Sequence, residues 1–301
     1  MGKISVVILT HERLGELKEC LDGIFSQSYK NYEIVIIDDS VNNETEMYIK
    51  SLNNPSINYE HRISNEGIGE KRRLAYLKTT GDYITFIDDD DYFTRASFFS
   101  ELVDVFKKNA DVDYIVSDSR VLHENENSCK THSLNLPRII KASDYLRSFQ
   151  FKYDKPASTL GLVVRKEITE KANFSNLHVM NDTAIYLWAL VAARKVYHIS
   201  KPIGNYRMHN NNMSKNVKAE LILDQLKEKK RIYSAAKSML RKPKKLWLYR
   251  QVLITTKYFA HGGDGDEDGV RAVMKYLRKE IGLPVYFYMK LVYWKKNHAH
   301  R

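Results

Sequence analysis

The chain has 301 residues, of which 43% are hydrophobic and 28% charged, and its formal net charge at pH 7 is +11. This composition is typical of a globular protein, and the longest apolar stretch, residues 184–193, falls short of the ~18 residues that span a bilayer. Most of the positive charge lies in residues 218–301, which contain 20 Lys and Arg but only 8 Asp and Glu. Such asymmetry indicates a C-terminal appendage that faces an anionic partner, for which membranes and nucleic acids are the usual candidates.

The cysteines and the N-terminus give an expectation for the compartment. Cys20 and Cys129 are far apart in sequence and lack metal-ligand spacing, so a reducing compartment is the default. The apolar run at residues 4–9 is too short for a signal peptide, and no cleavage site of small residues follows it. We therefore expect a cytoplasmic chain.

Strand and helix patterns alternate through the first third of the chain. Apolar, β-rich runs predict strands at residues 4–9, 32–37, 57–60 and 83–87. Apolar residues at helical spacing predict a helix at residues 14–25. A polar helix is predicted at residues 43–52, and a helix that carries three consecutive basic residues is predicted at residues 65–79. This alternation predicts an α/β fold with a doubly wound, mostly parallel sheet.

The rest of the chain is less regular and then becomes helical. We predict strands at residues 114–117, 159–164 and 196–199, a short strand or turn at 206–209, helices at 142–149 and 183–193, and a polar loop at 124–136. Long basic helices follow at residues 217–240, 244–260, 268–281 and 284–296, with a glycine-rich acidic hinge at 262–269. The predicted division is therefore a catalytic domain over residues 1–216 and a basic helical segment over residues 217–301.

Three of the predicted strands end in polar residues. The first is followed by Thr10-His-Glu-Arg13, the second by Asp38-Asp-Ser40, and the fourth by four consecutive aspartates, Asp88 to Asp91. Open α/β sheets bind ligands at the carboxyl ends of their strands. The sequence therefore predicts a ligand site at this edge of the sheet.

The run from Asp88 to Asp91 has two interpretations. Neighbouring carboxylates repel by ~1 kcal/mol in water and by more in a partly buried cleft, so the run is either fully solvated or neutralised by a cation. An acidic turn that caps a helix starting near Thr94 satisfies the first condition, since Asp is a good N-cap. A divalent metal with a phosphate-bearing ligand satisfies the second, and the position at a strand end favours it.

Six short blocks resemble, in order, those of family 2 glycosyltransferases of GT-A fold. They are residues 5–13, residues 33–40, Asn65-x-Gly67 with Arg72, residues 87–91, Asn181-Asp182, and Tyr206-Arg-x-His209 with Ser214. The resemblance covers about residues 3–215. It implies a GT-A fold, a nucleotide-activated sugar donor, usually a UDP-sugar, and inversion at the anomeric carbon.

The resemblance implies a donor site in which Thr10, Glu12 and Arg13 line the base end of the nucleotide. Asp39 would accept the uracil ring N–H, because a carboxylate only accepts hydrogen bonds. Arg72 would approach the diphosphate as a fixed cation. The family commonly has Ala-Arg-Asn where this chain has Lys-Arg-Arg, so only Arg72 of the three carries over.

The resemblance also implies roles in donor and metal binding for the aspartate run and for one histidine. Asp88 would lie toward the ribose, with Asp89 beside it in the donor-binding set, and Asp90 would bind manganese or magnesium. The metal would act as a Lewis acid that stabilises the departing nucleoside diphosphate. Asp91 could help to coordinate the metal or could cap the next helix, and we favour the cap. His209 corresponds to a histidine that joins the metal or phosphate in some relatives, or it is a loop histidine satisfied by backbone groups.

Inversion also requires a base for the acceptor hydroxyl, and Asp182 matches the family's catalytic aspartate. The family often has Glu-Asp here, and Asn181 in place of Glu leaves Asp182 as the only carboxylate of the pair. The alternative is that Asp182 caps the helix that follows it.

The basic C-terminal segment lies outside the resemblance and has two interpretations. Its helices either pack on the catalytic domain with solvated basic faces, or they form a peripheral anchor with aromatics at the headgroups and Lys and Arg on anionic lipid. The second would place the chain on the inner face of the cell membrane. Because no nucleic-acid-binding module is recognisable, we do not expect nucleic acid as the partner.

We therefore expect a metal-dependent inverting glycosyltransferase that acts on a glycan or lipid-linked glycan acceptor in surface polysaccharide synthesis. One alternative is a non-catalytic nucleotide-sugar sensor or membrane-recruited scaffold on the same fold. Another is a nucleotidyltransferase, whose paired aspartates also hold metal but which consumes a nucleoside triphosphate.

Overall fold

The computed structural model describes residues 2–63, 67–123, 128–177, 179–209, 218–262 and 267–298. The chain forms two compact units, Met1–Met208 and His209–Arg301. The predicted roles of Asn65 and Ser214 lie outside the described residues, as do the central residues of the predicted hinge. The predicted division of function at residue 216 stays a prediction.

Twelve strands and seven helices of the first unit lie in its described residues. The strands are β1 Ile4–Thr10, β2 Tyr32–Asp38, β3 Ile57–His61, β4 Tyr83–Asp88, β5 Tyr92–Phe93, β6 Val112–Ser117, β7 Ser119–His123, β8 Ser128–His132, β9 Ile139–Lys141, β10 Leu162–Arg165, β11 Lys195–Ile199 and β12 Gly204–Met208. The helices are α1 Leu14–Phe25, α2 Glu44–Leu52, α3 Ile68–Leu77, α4 Phe98–Lys108, α5 Ala142–Ser148, α6 Lys166–Lys171 and α7 Asp182–Ala192.

The described strands form two sheets. The main sheet has eight strands in the order β3-β2-β1-β4-β10-β6-β11-β9, and the second has four in the order β5-β12-β7-β8. In the main sheet β3, β2, β1 and β4 are parallel neighbours, and β6 is parallel to β11. By contrast, β10 runs antiparallel to its neighbours β4 and β6, and β9 runs antiparallel to β11. This topology confirms the predicted α/β fold with a mostly parallel sheet.

The helical spacing in α1 shows why the sequence folds in this way. Its apolar residues Leu17, Cys20, Leu21 and Ile24 recur every three or four positions and are all fully buried. They join the core formed with β1 and β2, whose apolar residues are buried on both faces of the sheet. Each fully buried aliphatic side chain of this kind contributes about 1.5–3 kcal/mol to folding.

Strand register determines which residues meet at the edge of the sheet. Thr10, the last residue of β1, pairs with Asp38 of β2, and Leu9 pairs with Asp88 of β4. Because these strands are parallel, their carboxyl ends and the loops that follow lie side by side. The predicted convergence of polar residues at one edge is therefore found.

Two element predictions for the middle of the chain are wrong in part. The polar segment 124–136 is predicted to be a loop, but β8 lies within it and pairs antiparallel with β7. Its sequence, Ser-Cys-Lys-Thr-His, has no apolar alternation, because β8 is a solvent-exposed edge strand. The strand predicted at 159–164 begins as a 3₁₀ turn over Thr159–Gly161 before β10.

Four long helices make up the described part of the second unit: α8 Ala219–Ala236, α9 Lys245–Gly262, α10 Glu267–Tyr276 and α11 Leu283–His298. A π-helical segment, Leu277–Ile281, continues α10. These helices enclose a core that includes Ile222, Leu226, Val252, Val273 and Met289. Among the helices that the structure describes, none combines the length and apolar character needed to cross a membrane.

Candidate functional site

The loop after β1 contacts the aspartates that follow β4. The Thr10 hydroxyl donates to Asp89 Oδ2 across 2.8 Å. The Arg13 guanidinium donates to Asp90 Oδ2 across 2.8 Å and to Asp89 Oδ1 across 3.3 Å. The structure thus brings together four of the predicted site residues, Thr10, Arg13, Asp89 and Asp90. Thr10 and Arg13 were predicted to line the base end of the nucleotide, whereas here they contact the aspartate run.

Glu12 and Asp39 lie where β1 and β2 end. Glu12 has a φ of 52°, which non-glycine residues rarely adopt, and its N–H donates to Ser40 Oγ across 2.7 Å. The Lys71 ammonium donates to Asp39 Oδ2, and His11 Nδ1 lies 3.5 Å from Asp39 Oδ1. Lys71 is not among the residues predicted for the site, because only its neighbour Arg72 matches the family block. Lys71 lies in the first turns of α3, which begins close to this edge of the sheet. That position in the sequence is the signal by which Lys71 could have been predicted.

Asp38 is fully buried and supports the turn after β2. Its carboxylate accepts from the Ser40 N–H across 2.8 Å and from the Tyr59 hydroxyl across 2.7 Å. Both acceptor oxygens are therefore used within the fold, which gives this residue a structural role.

Arg72 links Asp88 and Asp182, two site carboxylates that lie far apart in the sequence. One guanidinium nitrogen donates to Asp88 Oδ1 across 2.8 Å, and the other donates to Asp182 Oδ1 across 3.2 Å. The second nitrogen also donates to the Met180 carbonyl oxygen across 2.8 Å. Because the Arg72 side chain is 6% exposed, these contacts determine its orientation.

Asn181, rather than Asp182, caps α7. The Asn181 side-chain oxygen accepts from the Ala184 N–H across 2.8 Å, and Asp182 is the first residue of the helix. The capping interpretation of Asp182 is therefore wrong. Its carboxylate is instead held by Arg72 and stays 31% exposed.

The expected capping role of Asp91 is also wrong. α4 begins at Phe98, well after the aspartate run, and β5 lies between them. The Asp91 carboxylate is fully buried and accepts from the Ser158 hydroxyl across 2.6 Å and from the Arg207 N–H across 3.1 Å. Neither partner could be inferred from sequence, since each lies far along the chain.

Three carboxylates within the described residues form a cluster suited to a metal. Asp88, Asp90 and Asp91 each offer an oxygen, and these oxygens lie within 4.8 Å of one another. Burial raises the pKa of Asp88 to about 7 and that of Asp89 to about 6, and repulsion from neighbouring aspartates adds to both effects. Burial, followed by the charges of Asp88 and Asp90, also raises the pKa of Asp91.

This donor set fits a hard divalent cation. It consists of oxygen ligands only, and their mutual repulsion is what a bound cation would relieve. Asp91, for which coordination was the less favoured of the two predicted roles, belongs to this set because its carboxylate lies close to those of Asp88 and Asp90. His209 is the first residue of the second unit, and its predicted role stays a prediction.

Comparison with known proteins points to one family. The family model described as Glycosyl transferase family 2 matches residues 5–164, which is more than half of the chain. That range contains all of β1 except its first residue, the strands β2 to β4 and the whole aspartate run.

Two curated relatives extend the likeness along the chain. Glycosyltransferase GlyA of Streptococcus pneumoniae is 24% identical over 71% of this chain, which spans 32% of the length of GlyA. The GalNAc(5)-diNAcBac-PP-undecaprenol beta-1,3-glucosyltransferase of Campylobacter jejuni is 23% identical, over 69% of this chain and 65% of that protein. This chain thus corresponds to about a third of the first relative.

Solved structures share the fold at low sequence identity. S. aureus TarS 1–349 in complex with UDP-GlcNAc has a TM-score of 0.68 at 16% identity, over 99% of this chain and 92% of that one. Mannosyltransferase PcManGT from Pyrobaculum calidifontis, in complex with GDP-Man and Mn2+, has a TM-score of 0.54 at 11% identity, over 100% of this chain and 88% of that one.

Proposed function

Since the chain belongs to glycosyl transferase family 2, we propose that it transfers a sugar from a UDP-sugar to a hydroxyl of a glycan or lipid-linked glycan acceptor. The transfer inverts the anomeric carbon, depends on manganese or magnesium, and serves surface polysaccharide synthesis. The sugar-nucleotides bound to TarS and PcManGT support the donor class. The undecaprenol in the name of the Campylobacter relative supports a lipid-linked acceptor.

One observation carries this proposal: the Arg72 guanidinium joins the metal-suited aspartate cluster to Asp182. An inverting transferase needs a cation where the diphosphate leaves and a base where the acceptor attacks. Arg72 connects these two places by direct hydrogen bonds.

The aspartate cluster would hold the metal through Asp88, Asp90 and Asp91. A bound divalent cation supplies Lewis-acid stabilisation of the nucleoside diphosphate leaving group. Arg13 neutralises part of the charge on Asp89 and Asp90 and so helps to keep the run compact.

The donor base fits beside Asp39. Lys71 occupies Asp39 Oδ2, and a carboxylate can accept further hydrogen bonds through its other oxygen. Asp39 can therefore accept the uracil ring N–H at Oδ1 while it keeps its ion pair with Lys71. The Glu12 backbone, held by Ser40, forms the adjacent wall.

Asp182 acts as the base. It takes the proton of the acceptor hydroxyl as that oxygen forms its bond to the anomeric carbon, and the bond from this carbon to the diphosphate breaks on the opposite face. Arg72 holds one carboxylate oxygen of Asp182 through a hydrogen bond of 3.2 Å, which orients the other oxygen for the proton.

The proposal can be tested by measuring the release of nucleoside diphosphate from a panel of UDP-sugars, with membrane extract as the source of acceptor. Release in the presence of manganese is compared with release in excess chelator. We expect metal-dependent release with one or a few donors. Donor binding without release would indicate a nucleotide-sugar sensor. Pyrophosphate release from a nucleoside triphosphate and a sugar phosphate would indicate a nucleotidyltransferase.

The proposal includes a cytoplasmic location and contact with an anionic membrane surface. The excess of Lys and Arg in residues 218–301 supports this partner, because basic segments bind anionic lipid headgroups.

A further inference from the structure

The last helix of the second unit exposes an apolar strip to solvent. The strip consists of Leu283 (52% exposed), Phe287 (60%), Leu291 (49%) and Trp294 (57%). Their spacing of three to four residues places them on one side of α11. The opposite side packs into the unit, where Val285 and Met289 are buried. We call the exposed strip the α11 face.

Basic side chains border the α11 face. Lys290 and Lys295 of α11 are exposed. From α9, the exposed Lys257 places its Nζ 5.1 Å from the centroid of the Tyr288 ring, which is itself exposed on α11. Neither α9 nor α11 contains an Asp or Glu. The surface is therefore apolar and aromatic at its centre and positively charged around it.

We propose that the α11 face docks the chain onto an anionic lipid bilayer, with α11 lying in the plane of the headgroups. Leu, Phe and Trp side chains enter the boundary between headgroups and acyl chains, and the lysines bind anionic headgroups. Each Lys or Arg near such a surface strengthens binding by roughly fivefold. This inference shares one element with the proposed function, the expectation that the chain binds a membrane. It adds that the residues of the α11 face and the lysines around it make the contact.

Charge argues against a second copy of the chain as the occupant. A symmetric contact through the α11 face would bring Lys257, Lys290 and Lys295 near the same lysines of the other copy. Because neither helix has a carboxylate, nothing on the two helices would offset that repulsion. An anionic bilayer supplies the opposite charge over its whole surface.

Cosedimentation of the full chain with vesicles tests the proposal without donor or acceptor, so its failure is distinguishable from failure of the proposed activity. We expect binding to vesicles of phosphatidylcholine with phosphatidylglycerol and little binding to phosphatidylcholine alone. Brominated lipids in the mixed vesicles should quench tryptophan fluorescence, and Trp294→Phe should remove most of that quenching. Equal binding to both vesicle types, or quenching that Trp294→Phe leaves unchanged, overturns the proposal.

Two pairs of variants separate the α11 face from general basicity. Phe287→Ser with Trp294→Ser, and separately Lys290→Glu with Lys295→Glu, should each weaken binding to the mixed vesicles by roughly tenfold or more. The matched control is Arg271→Glu with Lys275→Glu, which makes the same charge change on exposed positions of α10. We expect the control to bind nearly as the wild type.

Loss of binding in the α10 control equal to that of the Lys290 and Lys295 variant would mean that diffuse charge, not the α11 face, binds lipid. A dimer in vesicle-free solution that Phe287→Ser with Trp294→Ser dissociates would mean that the face binds a second copy. Either result overturns the proposal. If circular dichroism shows that the Phe287→Ser and Trp294→Ser double variant is not folded, the quenching of wild-type tryptophan fluorescence by brominated lipids, compared with Trp294→Phe, tests the proposal instead.

Discussion

Arg72 and Asp182, which lie more than a hundred residues apart in sequence, form a hydrogen bond of 3.2 Å at the carboxyl edge of the main sheet. The same guanidinium donates to Asp88, so one buried cation lies between the proposed base and the metal-suited aspartates. Because the guanidinium is buried, its charge depends on these two carboxylates for compensation, and a change to either contact should have a measurable effect.

The first prediction concerns this contact. Arg72→Lys keeps the positive charge but cannot donate to both carboxylates with the fixed geometry of a guanidinium. We expect transfer to fall by about 10- to 100-fold, since misplacing a catalytic group by about 1 Å costs that much. Steady-state transfer rates and donor affinity should be measured together.

Arg73→Lys on the same helix is the matched control, because the Arg73 guanidinium contacts Glu70 and the Ser175 carbonyl oxygen. We expect nearly wild-type transfer from it. Full activity of Arg72→Lys would show that the link between Asp88 and Asp182 is unimportant.

The second prediction separates the base from the helix cap. Asp182→Asn keeps the size of the side chain but cannot take a proton, so we expect a loss of ~10²–10⁴-fold in transfer rate with donor binding retained. Asn181→Ala removes the cap of α7 and should lower stability by ~1 kcal/mol while it leaves Asp182 in place.

Transfer rate, donor affinity and melting temperature of both variants check this prediction. Were Asp182→Asn to retain more than about a tenth of wild-type transfer, well above the rate expected without a general base, the base would have to be another residue.

The third prediction concerns the metal. Asp90→Ala removes one carboxylate of the cluster, so we expect manganese to raise the melting temperature of the wild type but not that of the variant. Without metal, the variant should be as stable as the wild type or slightly more so, because one like charge is gone from the cluster.

Asp104→Ala, which replaces an exposed aspartate on α4, is the control that should keep the manganese response. A thermal-shift titration with manganese measures both variants. An undiminished response in Asp90→Ala would place the metal elsewhere.

The fourth prediction concerns acid stability and Glu33 at the other end of the sheet. Burial raises the pKa of Glu33, but hydrogen bonds from Lys3, Ser5 and Thr80 outweigh burial and lower it to about 2. Because the folded pKa lies below the unfolded value, the ionised carboxylate stabilises the fold above about pH 4.5, and this contribution is lost as pH falls toward about 2.

Glu33→Gln should therefore lower the free energy of unfolding at pH 7 by about 2 kcal/mol, the usual contribution of hydrogen bonds to a charged group. The difference from the wild type should shrink progressively as pH falls below about 4.5. Urea unfolding across this pH range measures it, with the exposed Glu170→Gln as control. A difference that stays constant with pH would contradict the assignment.

Much of the fold followed from local patterns in the sequence. The apolar run of β1 and the spacing of Leu17, Leu21 and Ile24 in α1 predict a buried strand and a helix, because burial of a strand or helix face requires that periodicity. The turn residues after β1, β2 and β4 likewise predicted the edge at which the candidate site lies. Parallel strands bring their carboxyl ends together whatever the rest of the chain does.

Only the tertiary structure decided how the site residues pair. Asp91 looked like a cap because Asp favours that position locally, yet its carboxylate meets Ser158 and the Arg207 N–H. A cap was the alternative interpretation of Asp182, but Asn181 takes that role and Arg72 holds Asp182. Local propensity reflects neighbours along the chain, whereas the partners of both carboxylates are groups that packing brings from distant segments. A buried charge is stabilised by whichever partner the fold places within hydrogen-bond distance.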